Sequence, residues 1–279
     1  MEAAKGSPFI AYNLKGCLKA VILFKAVVFF GSCDGAEAVK YYVLLSYKKP
    51  HFKTKLGYVK MIVNERITAY INTLERELPV HLYELEKTAL QEGVPIIRKE
   101  TQTFLRFLLA SGKPRRILEI GTAVGFSAIF MSEYMPEGST ITTVEKVEMR
   151  LVKARKNIAS APKRDKITLL EGDALVLLKQ LASQKENFFD FIFLDAAKAQ
   201  YMNFLPEIMK LLNVGGLLVT DNVLQDGSVA ESRYGITRRD RTIHTRMREY
   251  LYTITHMEQL ETAVLPLGDG VTVSTRIKD

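Results

Sequence analysis

Four residues in two short stretches have the types and spacing to do chemistry. Asp195 closes an apolar run in Phe193-Leu194-Asp195-Ala196-Ala197-Lys198, and Asp221-Asn222 close another after Thr220. Both runs read as buried strands of an open α/β sheet, where ligands bind beyond the carboxyl ends of the strands. The two aspartates and the amide should therefore converge on one crevice. Oxygen donors without sulfur or imidazole suit a hard, hydrated cation, magnesium first. Taken singly, Asp195 reads as an acid that ends a strand for solubility and Asn222 as a turn residue. Taken together, two close carboxylates favour a cation between them. That cation, with partial burial, would lower the pKa of Lys198 and make it a general base; the competing reading is a surface lysine at a helix start.

Upstream, Ile117 to Ser127 reads ILEIGTAVGFS. The run Ile117-Leu118-Glu119-Ile120 predicts a strand, broken at Gly121 into a turn whose second glycine, Gly125, stands where a helix should begin. Such a turn is a nucleotide cradle: glycines let backbone approach a ligand, and free N–H groups at a helix start favour a polar or anionic partner.

These residues need a frame. Asn64 can cap a helix carrying Ile67, Tyr70, Ile71 and Leu74; further helices are predicted at about 81–91, ended by Gly93, and 99–110, ended by Gly112. The extended link Val94-Pro95-Ile96-Ile97 between them could return over the cradle as a lid. After the cradle, predicted strands at 140–145, 167–170, 189–194 and 217–220 alternate with helices at about 148–158, 174–184 and 201–212. That alternation means a parallel sheet with helices on both faces. A helix at about 239–252 follows, then strands 259–265 and 271–277 joined through Gly268-Asp269-Gly270, which predicts an antiparallel pair.

Composition bounds the alternatives. The 279 residues carry a net charge of +8, but residues 1–60 hold ten Lys or Arg against three Asp or Glu. Residues 61–279 therefore hold 39 − 10 = 29 against 31 − 3 = 28, a balance of +1, so the overall charge says nothing about partners of the main body. Both cysteines, Cys17 and Cys33, also lie in the first part. A disulfide framework or cysteine zinc site in the body is excluded, and a reducing, cytoplasmic setting is expected. The run Cys17 to Phe30 is short and interrupted by Lys19 and Lys25, so neither a membrane span nor a signal peptide is expected. Charge, cysteine content and periodicity all change at Met61, which is the expected start of the working domain, 61–279, with 1–60 an extension.

The sheet closed by an antiparallel pair is the architecture of class I S-adenosylmethionine (SAM) methyltransferases, a Rossmann-like seven-stranded, mostly parallel sheet. The turn supports that cofactor over a dinucleotide. A pyrophosphate site needs G-x-G-x-x-G, whereas here the order is Glu119-x-Gly121-x-x-x-Gly125, with an acid before the first glycine. SAM carries ammonium and sulfonium groups and no phosphate, so Glu119 is welcome. Glu145 ends the second strand, where a carboxylate can accept both ribose hydroxyls, and Asp173 follows the third, placed for the adenine amino group. An NAD-binding oxidoreductase is the remote alternative.

The stretches LEIGTAVGFSA, TTVEK, EGDAL, FIFLDAAKAQY, GGLLVTDNVL and LPLGDGV, spread over residues 94–277, resemble the metal-dependent O-methyltransferases of the caffeoyl-CoA and catechol type. Within them, VPII, DAAKAQY, TDNVL with Gly227 and Val229, and the arginines after it are most similar to members that convert tRNA wobble 5-hydroxyuridine to 5-methoxyuridine. The resemblance implies that Asp195, Asp221 and Asn222 hold magnesium, that Ile97, Ser127, Glu145, Asp173 and Ala174 contact SAM, and that Asp195 touches both. It assigns Lys198 as the base and implies a homodimer joined through the helices of residues 61–110. Phe126 stands where tyrosine is frequent and Ala199 where glycine is frequent, which leaves every implied ligand in place.

For the substrate, Arg233, Arg238, Arg239, Arg241, Arg246 and Arg248 follow the second ligand stretch, with His244 among them. Arg238, Arg239 and Arg241 in particular could grip phosphates of an anticodon loop whose unpaired base enters the pocket. A solvated helix face paired with Asp240 and Glu249 is the competing reading. A small aromatic hydroxyl substrate, catechol-like or caffeoyl-CoA-like, is the alternative to tRNA.

Overall fold

The structure, a computed structural model, describes residues 62–279. The extension expected over residues 1–60 lies outside them. Within the described residues, eight α-helices surround a seven-stranded sheet. The chain opens with α1 (Glu65–Thr73), α2 (Val80–Gln91) and α3 (Lys99–Gly112). Strands and helices then alternate: β1 (Arg116–Ile120), α4 (Phe126–Tyr134), β2 (Thr140–Glu145), α5 (Glu148–Ser160), β3 (Ile167–Glu171), α6 (Ala174–Gln184), β4 (Phe189–Leu194), α7 (Tyr201–Leu211) and β5 (Leu212–Thr220). Helix α8 (Arg241–His256) precedes β6 (Leu260–Leu265) and β7 (Val271–Arg276).

The sheet order is β3-β2-β1-β4-β5-β7-β6, parallel from β3 to β5, with β7 antiparallel to both β5 and β6. The order reverses between β1 and β4, which opens the crevice where ligands of such sheets bind. The central strands read as continuous apolar runs because both faces are covered. Ile117, Leu118, Phe191, Ile192, Phe193 and Leu194 are all fully buried.

Two helices differ from expectation at their ends. Helix α3 runs through Gly112, and Lys113 takes the left-handed cap at φ 46°, its N–H closing onto the Leu109 carbonyl. Helix α8 starts at Arg241, so Arg239 lies outside it; the helix also runs past Tyr252 to His256. The expected lid is anchored: Ile97 packs into the core with Leu105, Phe126 and Ile129, while the Gln102 amide donates to its carbonyl at 3.0 Å. Helices α1 to α3 leave Ile67, Tyr70, Leu74, Val80, Leu90 and Phe107 exposed. No helix among the described residues is long and apolar enough to cross a membrane.

Candidate active site

The carboxyl ends of β1, β4 and β5 are brought level by the register. Asp195 N–H donates to the Ile120 carbonyl and Asp221 N–H to the Leu194 carbonyl, each at 3.0 Å, so both aspartates leave the sheet at the same height. Asp221 is 2% exposed, and its Oδ1 accepts from the Asn222 N–H at 2.8 Å. Burial raises the pKa of both carboxyls, and the charge on Asp195 pushes Asp221 up further. Asn222 sits in left-handed backbone at φ 59°, a conformation that asparagine tolerates. Its side-chain NH2 donates to Asp269 Oδ2 at 3.4 Å, which leaves its Oδ1 without a hydrogen-bond partner among the described residues. Lys198, in a short 3-10 turn at the foot of α7, acts electrostatically on Asp195, Asp221 and Asp269. Asp195, Lys198, Asp221 and Asn222 are thus one cluster, as expected.

The donor set fits a hard divalent cation: two carboxylates whose charge is costly where they stand, and an amide oxygen without a partner. Among the described residues no group of three or more His, Cys, Asp or Glu is placed to hold a metal, so a bound ion would depend on Asn222 and on water or substrate oxygens.

The glycines of the cradle are also fitted to the protein itself. Gly121 lies at φ 106°, and a Cβ there would meet the Asp195 carbonyl oxygen at 2.1 Å. Gly125 lies at φ 89°, and its Cβ would crowd Ile158 and Ala154 of α5. Gly121 is therefore required by the protein's own packing of β1 on β4, and Gly125 is favoured by its left-handed backbone, whatever approaches from outside. Glu119 is fully buried beneath the turn, its Oε2 accepting from the hydroxyls of Thr122 and Thr143. The Ser127 hydroxyl faces it, while its Oε1 has no hydrogen bond, and burial pushes its pKa up to about 7.

Glu145 closes β2 with both oxygens engaged by backbone: Ala123 N–H at 2.9 Å on one, Lys146 and Val147 N–H at 2.8 and 2.9 Å on the other. The carboxylate is fixed at the rim with lone pairs to spare. Asp173 caps α6 by accepting from Leu175 N–H at 3.0 Å and pairs with Lys146 at 3.2 Å; the side-chain hydrogen bond from Lys146 holds its pKa below the usual range. Ala174 is the first residue of that helix.

The arginines divide. Arg241 Nε donates to the Ile236 carbonyl at 3.1 Å, so this side chain braces its own turn. Arg246 donates to the Ala199 carbonyl at 2.8 Å, which ties α8 to the turn that carries Lys198. Arg233, Arg238, Arg239 and Arg248 are exposed, and no arginine of the group forms an ion pair among the described residues. Asp240 instead accepts from the Thr237 hydroxyl at 2.6 Å. Tyr234, beside Arg233, is 91% exposed.

Two residues at this site carry no role in the sequence reading. Asp269 was legible only as the turn of a hairpin, and Arg98, between the link and the next helix, had no reading at all. In space the Arg98 guanidinium pairs with Asp269 and, at 2.9 Å, with Asp226. Nothing in their sequence spacing joins residues 98, 226 and 269; only the closed sheet does.

A family model described as O-methyltransferase matches residues 72–277. Caffeoyl-CoA O-methyltransferase of Eucalyptus gunnii is 30% identical over 206 residues, covering 71% of this chain and 77% of the plant protein. Tapetum-specific methyltransferase 1 of Arabidopsis thaliana is 27% identical over 185 residues, covering 66% and 78%. Among solved structures, the O-methyltransferase from Bacillus cereus in complex with SAH aligns with a TM-score of 0.67 at 25% identity, over 76% of this chain and 97% of that one.

Proposed function

The chain belongs to the O-methyltransferase family, and we propose that it methylates the 5-hydroxyl of 5-hydroxyuridine at the tRNA wobble position, using SAM and a divalent ion such as magnesium. SAM, the cofactor whose demethylated product SAH is bound in the Bacillus cereus relative, fits the acids around the cradle. When bound, SAM supplies the methyl group and the ion lowers the pKa of the acceptor hydroxyl. Asp195, Asp221 and the Asn222 amide oxygen would hold the ion. Glu145, immobilised by three backbone N–H groups, would accept ribose hydroxyls, and Ile97, anchored in the core from the link side, would border the cofactor. Asp173 and Ala174 border the adenine end. Lys198, beside the aspartates, takes the hydroxyl proton, and the chain's remaining work is to align acceptor and donor.

The observation that carries the RNA reading is the exposed segment around the short 3-10 turn Arg233–Gly235 and the start of α8. Arg233, Arg238 and Arg239 are exposed and pair with no carboxylate among the described residues, Tyr234 offers an aromatic face, and Arg246 fastens this region to the Lys198 turn. Unpaired guanidinium groups beside an exposed ring suit phosphates flanking an unstacked base. The caffeoyl-CoA relative supports a second reading, a small aromatic hydroxyl substrate. Both fit one chelation chemistry, because the 5-hydroxyl and O4 of the base are adjacent as catechol oxygens are. Purified protein should label tRNA bearing 5-hydroxyuridine from labelled SAM, only with divalent ion, and less as salt rises. Labelling of catechol or caffeoyl-CoA with none of tRNA selects the second reading. Self-association belongs to the same proposal: the apolar residues exposed on α1 to α3 suit a second copy, which sedimentation would register as a dimer.

A further inference from the structure

We propose that Asp269 is a positioning residue that sets which end of the Asn222 amide faces the crevice, and that Arg98 holds Asp269 in place to do so. The proposal rests on the reading of Asp195, Asp221 and Asn222 as the residues that hold the divalent ion. The two ends of an asparagine amide are nearly identical in shape and opposite in chemistry. Only the oxygen end can coordinate a cation, so an Asn ligand needs a partner that chooses its orientation. Asp269 is that partner. Its Oδ2 lies 3.4 Å from the Asn222 Nδ2, and a carboxylate offers acceptors only, so the NH2 end is drawn to Asp269 and Oδ1 is left for the crevice.

The surroundings fix this contact from both sides. The Asp269 carbonyl accepts from Leu224 N–H at 2.9 Å and Gln225 N–H at 3.1 Å, and the Gly270 carbonyl from Val223 N–H at 2.9 Å. The loop after β5 is thereby fastened to the β6–β7 turn along its whole start. Gly270 has no room for a side chain, since a Cβ would lie 2.4 Å from Leu224 Cγ. Arg98 pairs with the Asp269 carboxylate and reaches Asp226 at 2.9 Å, joining the link before α3 to both loops. Asp269 and Arg98 are not among the residues assigned to the ion, so they can be changed without removing a ligand.

Mn2+ binding to the full chain, followed by electron paramagnetic resonance, tests this without turnover. In Asp269→Asn the new amide can accept or donate, so Asn222 is no longer held in one orientation. Mn2+ affinity should fall about tenfold or more, and Asp269→Ala should do the same. In an Asn222→Ala background, already weaker, Asp269→Asn should cost nothing further, because there is no amide left to orient. Arg98→Gln should give a smaller loss with the same dependence on Asn222. A general loosening of the fold would instead lower the melting temperature and SAH affinity together and weaken Mn2+ equally in both backgrounds; that pattern overturns the proposal. So does Asp269→Asn binding Mn2+ within twofold of the unaltered chain. Failure of the unaltered chain itself to bind Mn2+ would overturn the ion reading and this inference with it, a result distinct from the other two.

Discussion

Gly121→Ala should unfold the protein's centre before it affects any ligand. The substitution has two costs. At φ 106° an alanine is strained, a cost of about 1–3 kcal/mol. Its Cβ would also sit 2.1 Å from the Asp195 carbonyl oxygen and 2.7 Å from the carbonyl carbon. Both are backbone atoms of the residue that follows β4, tied to β1 by its own N–H, and cannot swing aside. Relieving the clash means parting β1 from β4 where Asp195 N–H bonds to Ile120, an overpacking cost of about 1–3 kcal/mol. Together these give about 2–6 kcal/mol, or roughly 5–20 °C in melting temperature for a domain of this size. Gly138→Ala is the control, because Gly138 also has positive φ, 78°, but nothing lies within 4 Å of its Cβ. It should lose only about 1–2 kcal/mol. Urea unfolding of the three proteins, with SAH binding in parallel, decides the matter. If Gly121→Ala is as stable as Gly138→Ala and has merely lost SAH, the glycine serves ligand approach and the packing argument is wrong.

Other outcomes follow from the same crevice. The Glu119 carboxyl, raised by burial from 4.5 to about 7, keeps in the native state a proton that the unfolded chain releases between those values. Stability therefore falls as pH climbs from about 4.5 to 7, by up to about 3 kcal/mol, and the cost is complete above 7. Glu119→Gln should flatten that slope and be the more stable protein at pH 8; equal slopes in urea unfolding at pH 5 and 8 would refute the assignment. Burial raises the pKa of both Asp195 and Asp221, and repulsion from Asp195 raises Asp221 further, so protons compete with a divalent ion for this pair. The melting-temperature gain from magnesium over chelator should grow between pH 6 and 8, and a gain independent of pH would place the ion elsewhere. Lys198→Met should lower turnover about 10²- to 10⁴-fold while SAH and Mn2+ binding persist; turnover within threefold would remove Lys198 as the base. Arg238→Ala with Arg239→Ala should weaken tRNA binding and reduce its salt slope by roughly 1–2 while leaving SAH affinity alone. An unchanged slope would show that these arginines do not meet phosphate.

What could be read from sequence and what could not divides along physical lines. Strands β1 and β4 announced themselves because burial on both faces leaves apolar runs, and the ends of β2, β4 and β5 were marked by the acids Glu145, Asp195 and Asp221. The candidate ligands were legible for the same reason: an acid is conspicuous where a buried run stops. The cause of the glycine spacing was not legible, because Gly121 is fitted to Asp195, 74 residues later, through a contact that exists only once β1 lies on β4. Arg98 and Asp269 were hidden likewise: Arg98 carried no signal and Asp269 read only as a turn until the fold brought residues 98, 222, 226 and 269 together. The start of α8 was placed two residues early: Asp240 stands at the N-cap position without a side-chain cap hydrogen bond, its carboxylate accepting from Thr237 instead, so no capping signal marked the boundary.

Backbone strain shows how far the crevice is prepared by the fold itself. Ala123, Asn222, Gln225 and Asp226 all have φ between 47° and 59°, a region that costs a non-glycine residue about 1 kcal/mol or more. These four lie in the loops beyond β1 and β5, on either side of Asp195. Each is held there by something specific: Ala123 by its N–H bond to Glu145, and Asn222 to Asp226 by Asp269, Gly270 and Arg98. Strain concentrated at one end of a sheet, beside buried carboxyls raised by desolvation, means that packing elsewhere is stabilising an arrangement no local preference would choose. A bound cation would then find its carboxylates already gathered, and would spend its binding free energy on displacing protons rather than on ordering loops. The ion should therefore tighten the 222–227 loop only slightly. Hydrogen exchange at Val223 and Leu224, whose N–H groups are already bonded to the 269–270 turn, should change less than threefold on adding Mn2+; slowing by orders of magnitude would mean that the loop is assembled by the ion and not by the chain.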